Sequence, residues 1–148
     1  MKKTILSIAT LLLCNLSMAQ WSNYNVNNGF DDPYKICYTK ENKGAILKLE
    51  NAYGSVAFYI QESYFCDEEP VIDMSFLVNN QWKKYSFIGE KNEKGNTIFF
   101  TGNIKDTEIF GDFLTASFVK VRVNETYCDT KVYQFSMTGS ASAYNFIK

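Results

Sequence analysis

The chain has 148 residues, 46% of them hydrophobic and 21% charged, with a formal net charge of −1, which suits one domain built around a single core. It contains no histidine, so Ser-His-Asp and Cys-His nucleophilic catalysis, His-based zinc hydrolysis and any general base of ordinary near-neutral pKa are excluded. Its charges are scattered, Arg122 is the only arginine, and no basic cluster points to a phosphate backbone, so nucleic acid is not an expected partner.

The first 19 residues have the three parts of a secretory signal: Lys2 and Lys3, an apolar run from Ile5 to Leu13, and the small-residue end Ser17-Met18-Ala19. Cleavage is expected before Gln20. The run is too short for a membrane span of about 30 Å, and Asn15 interrupts it. Cys14 offers a lipoprotein alternative, but Leu13 stands where a small residue normally precedes a lipidated cysteine. Loss of Lys2 and Lys3 with the leader takes the formal charge from −1 to −3 and leaves 129 residues. No second hydrophobic run suggests a span, so the protein is expected in the periplasm or secreted.

Residues 20–33 read as an exposed lead-in, rich in Asn with Trp21 and Tyr24, and ending in the turn chemistry of Gly29-Phe30-Asp31-Asp32-Pro33. A strand follows at 34–39 with Tyr34, Ile36 and Tyr38 on one face. After the polar turn 40–44, Ala45, Leu47 and Leu49 alternate with Ile46, Lys48 and Glu50. Across Asn51-Ala52-Tyr53-Gly54, Val56, Phe58 and Ile60 alternate again, which predicts a hairpin. Residues 62–70 form an acidic loop. In 71–78, Ile72, Met74, Phe76 and Val78 point inward and Asp73 and Ser75 outward. Asn79-Asn80-Gln81 turns the chain into 82–88, where Tyr85 and Phe87 oppose Trp82, Lys84 and Ser86. A charged loop, 89–96, leads to a short strand at 97–101.

One segment departs from strand spacing. Asp106-Thr107 precedes Ile109, Phe110, Phe113 and Leu114, whose positions fit a short helix. A hairpin then spans 117–137, with Val119, Val121 and Val123 on one strand and Tyr133, Phe135 and Met137 on the other. The small residues of the tail allow a closely packed turn or short helix that brings Tyr144, Phe146 and Ile147 back toward the core. About eight strands joined by short turns, with one connecting helix, predict an all-β domain over 34–148: an antiparallel β-sandwich or partly closed barrel.

Once the leader is gone, Cys37, Cys66 and Cys128 remain, which implies one disulfide and one thiol in an oxidising compartment. Three pairings are open. Cys66 with Cys128 is favoured because both lie beside polar turns, whereas Cys37 sits inside a strand.

No Gly-rich phosphate loop, zinc-ribbon spacing or EF-hand ladder occurs, so no cofactor or metal is expected. Carboxylates are the remaining catalytic option, and a two-carboxylate glycosidase is a minor alternative, because adjacent acids such as Asp67, Glu68 and Glu69 usually form a solvated loop. These three acids, together with Trp82, Tyr59 and Tyr53 as surface aromatics that stack on sugars or fill a partner's pockets, are the candidate binding residues. The run from Phe118 to Asn124, followed by Tyr133-Gln-Phe-Ser-Met-Thr-Gly-Ser140 and Ala143, resembles small secreted bacterial β-sandwich proteins of unassigned function. It is distantly similar to the invasion-associated locus B type. The resemblance implies an exported sandwich and carries no catalytic residues. The expected function is a non-enzymatic exported binding domain with an unknown protein or glycan partner. The alternatives are a carbohydrate-binding module and an inhibitor or immunity-type protein that uses the acidic loop.

Overall fold

The computed structural model describes residues 21–27, 29, 32–52, 54–100 and 107–148. The leader, its cleavage point and Tyr53 lie outside the described residues. In chain order the elements are β1 (Ser22–Val26), β2 (Tyr34–Lys40), β3 (Ile46–Ala52), β4 (Ser55–Gln61), β5 (Val71–Val78), β6 (Gln81–Ile88), β7 (Glu90–Lys91), β8 (Thr97–Phe99), α1 (Glu108–Thr115), β9 (Phe118–Asn124), β10 (Lys131–Ser136) and α2 (Ser140–Ile147). They build two antiparallel sheets, one ordered β1-β2-β3-β4-β8-β7 and one ordered β10-β9-β5-β6. The architecture is a β-sandwich.

Period-two alternation decides which residues enter the core. Leu47, Leu49, Val56, Phe58, Ile60 and Ile98 come from the larger sheet. Ile72, Met74, Phe76, Val119, Val121, Val123 and Phe135 come from the smaller, and all are buried. Each such side chain contributes about 1.5–3 kcal/mol relative to exposure. In β2 the inward face is Cys37 and Thr39, while Tyr34, Ile36 and Tyr38 share the outer one. Asn79 and Asn80 both adopt positive φ, 49° and 62°, the geometry of the tight turn between β5 and β6.

The sandwich is the expected fold class: among the described residues there are ten strands against about eight expected, the connecting helix, and a second helix where the tail was expected to form a turn or short helix. One expectation is corrected: the N-terminal segment is not simply an exposed lead-in. Ser22–Val26 pairs with β2 as an edge strand, and Trp21 is buried edge-on against Phe113, with ring centroids 5.5 Å apart. A large indole that can cover the end of the core outweighs the polar composition around it.

The two helices close one end of the sandwich. Phe113 of α1 packs between Trp21 and Phe58, and Ser140 at the start of α2 donates its hydroxyl to the Phe113 carbonyl at 3.0 Å. At the opposite end the loop 62–70 carries the chain from the larger sheet to the smaller. There Cys66 is bonded to Cys128 in the β9–β10 loop, with Cα atoms 6.1 Å apart, and among the described residues Cys37 is the free thiol, which is buried. Among the described residues no helix is long and apolar enough to cross a membrane.

Candidate binding face on the four-stranded sheet

The outward side chains of the smaller sheet follow from strand parity and register. One transverse row reads Ser136, Phe118, Leu77, Trp82; the next Gln134, Lys120, Ser75, Lys84; the next Val132, Arg122, Asp73, Ser86; and the last Asn124, Val71, Ile88. Five large apolar side chains that remain exposed, Val71, Trp82, Ile88, Phe118 and Val132, lie on this one face. They flank a polar centre. Because Ser75, Asp73 and Ser86 are short while Lys84, Lys120 and Arg122 are long, the centre is a shallow depression of about 410 Å³ bordered by Val132.

The charges of the centre are unequally satisfied. Arg122 donates from Nε and Nη2 to one oxygen of Asp73 at 2.9 and 2.7 Å, and the Asn124 amide donates to the same oxygen at 2.9 Å. Hydrogen bonds from Asn124, Ser86 and Arg122 hold the Asp73 carboxyl below the usual carboxylate range. Lys84 and Lys120 have no carboxylate partner among the described residues. The Lys120 ammonium lies 5.0 Å from the Trp82 ring centroid, a cation–π contact that orients both groups. Trp82 itself is 44% exposed.

The other candidate residues are placed differently. Tyr59 is half-buried on the outer face of the larger sheet, beneath the Lys48 ammonium at 4.5 Å and bonded to Glu50 at 3.4 Å. Burial and the Glu50 carboxylate push its hydroxyl up to about 12. Asp67 accepts the backbone N–H groups of Thr126 and Tyr127 at 2.6 and 3.3 Å. Those bonds, with the first from Thr126 the largest, hold its carboxyl low. Glu68 pairs with Lys91 at 2.9 Å, and Lys91 also donates to the Cys66 carbonyl at 2.9 Å. Glu69 is exposed. Asp67 therefore ties the crossover to the β9–β10 loop, while Glu68 reaches Lys91 of β7 from a largely exposed position.

Glu125 completes that tie. Its buried carboxylate accepts the N–H of Cys66 and, at 3.2 Å, that of Asp67. Lys131 bridges Glu125 and Glu62 at 3.6 and 3.1 Å, and Tyr133 donates to Glu62 at 2.6 Å. Burial first, then the Glu62 bond, raises the Tyr133 hydroxyl far above its ordinary value. This end is a structural clamp.

Sequence reasoning reached Trp82 but not Lys84, Lys120, Arg122 or Ser75 as its companions. Parity placed Asp73, Ser75 and Lys84 on solvent faces. Only the pairing of β5 with both β6 and β9 shows that these faces form one surface. Comparisons with protein-family models, curated proteins and solved structures find no match.

Proposed function

We propose that the chain is an exported, non-enzymatic binding domain, and that the outward face of the four-stranded sheet is its contact surface. The observation that carries this reading is the concentration of exposed Val71, Trp82, Ile88, Phe118 and Val132 on one face, around two lysines that have no carboxylate partner among the described residues. Contiguous exposed apolar surface rimmed or centred by polar groups marks interaction sites. Export is supported by the signal-like leader and by the Cys66–Cys128 disulfide, which suits an oxidising compartment. A carbohydrate-binding reading is favoured by the exposed Trp82 ring one row from Ser75 on the neighbouring strand. The inhibitor reading has less support, since Asp67 is held by the backbone of the β9–β10 loop.

The test is a paired glycan array and envelope-extract pull-down with the wild-type chain and Trp82→Ala. Retention of a glycan or protein that Trp82→Ala weakens at least about tenfold supports the face, a loss of the size expected for an aromatic contact anchor. Binding that Trp82→Ala leaves unchanged places the contact elsewhere, and absence of any binding sinks the reading.

A further inference from the structure

Resting on the reading of this face as a contact surface, we infer that its ligand is an acidic polysaccharide whose carboxylate or sulfate groups sit over Ser75 between Lys84 and Lys120. The two lysines stand on strands either side of β5, opposite Ser75 in the same transverse row, so their Cα atoms are about 10 Å apart across two strand spacings. Both are exposed, and neither has a carboxylate partner among the described residues. Arg122, the third cation of the depression, is neutralised by Asp73. The centre of the face therefore carries two uncompensated positive charges on a chain that is acidic overall.

A second copy of the same face does not fit, because a two-fold axis through the depression would bring four ammonium groups together. An anionic sugar does fit. Short side chains at Ser75 and at Ser86, the latter bonded to Asp73, form a floor that leaves room for a ring, Gln134 adds an amide at the margin, and Trp82, with the Lys120 ammonium 5.0 Å from its ring centroid, stands in the neighbouring row. The depression, about 410 Å³, has the size of a small-molecule site. The ammonium groups, on flexible stems, meet a carboxylate or sulfate as point charges.

The experiment is isothermal titration of the folded wild-type chain, Lys84→Gln/Lys120→Gln and Trp82→Ala with polygalacturonate, dextran sulfate, neutral dextran and polyglutamate. Thermal unfolding of each variant establishes that it is folded. The expected result is binding to polygalacturonate or dextran sulfate that weakens about tenfold or more in the double lysine variant and in Trp82→Ala, falls with added salt, and is absent for dextran. Preference between the two acidic polymers separates carboxylate from sulfate. Equal binding of polyglutamate overturns the sugar assignment in favour of an acidic protein. Binding of neutral dextran that depends on Trp82 but not on the lysines overturns the anionic assignment while keeping the face. Acidic-polymer binding unaffected by either variant, or no binding to any polymer, overturns the inference.

Discussion

Asp112 shows how a single carboxylate joins an element to the sheet beneath it. It lies on α1, is 6% exposed, and receives the Lys83 ammonium at 2.7 Å and the Tyr85 hydroxyl at 2.5 Å from neighbouring positions on β6. The Tyr85 bond pushes that hydroxyl up to about 12, as expected for a donor committed to a carboxylate. Lys83 is half in water and loses little if its partner goes, whereas the tyrosine bond and the packing of Asp112 are lost. Asp112→Ala is expected to destabilise the fold by about 2 kcal/mol. Urea unfolding midpoints provide the check, and a loss under about 0.5 kcal/mol would show that surface-like solvation persists there. Such roles were poorly legible in the sequence. Glu68 and Glu69 are exposed, as a solvated acidic loop implies, whereas the role of Asp67 was hidden because its partners, Thr126 and Tyr127, lie far along the chain and meet it only through tertiary structure. The Cys66–Cys128 pair was legible because each cysteine sits beside turn-forming residues that free the chain to approach.

Strands with strict alternation were the most readable elements. β3, β4, β5, β9 and β10 all bury the residue set that their period-two pattern selects, since one register slip would turn that set into water. β1 and β7 were not readable. β1 is an edge strand with three exposed central residues, and β7 has only two residues, so neither leaves an apolar alternation. Where the chain leaves β6 for β7 it changes sheets at Gly89, which is buried. A Cβ at this position would overlap Ile98 Cγ2 of the larger sheet and stand 3.3 Å from Ile72 Cγ1 of the smaller. Gly89→Ala is therefore expected to cost about 1–3 kcal/mol through overpacking between the layers. A guanidinium midpoint equal to that of the wild-type chain would show that Ile98 moves aside freely.

The whole molecule is a sandwich stopped at both ends by different means: helices and aromatic rings at one, a covalent and ionic clamp at the other. This division leaves the outer face of the smaller sheet clear of α1 and α2, which is why an apolar and cationic surface persists there. The fold class was legible from strand count and spacing, whereas the candidate face required knowing that β9 and β6 flank β5. In the chain-entropy treatment, a disulfide closing a sequence separation of 62 stabilises by about 4 kcal/mol. Cys66→Ser/Cys128→Ser should lower unfolding stability by a comparable amount, measured against the oxidised wild type in guanidinium. A difference under about 1 kcal/mol would mean that Glu125, Asp67 and Lys91 hold the two loops without it.

The carboxylate contacts at that end also bear on the order of assembly. The hooks from Glu125 to the Cys66 N–H and from Asp67 to the loop before Cys128 require no sulfur chemistry, so a folded but reduced chain already presents its two thiols to each other at high effective concentration. Cys37, the free thiol among the described residues, is shut between the sheets, and burial pushes its pKa up to about 12. With almost no thiolate it is a poor attacker in exchange reactions. Among the described residues the fold thus acts as a template for pairing: an oxidant meeting the finished sandwich finds Cys66 and Cys128 held close together and Cys37 shut away.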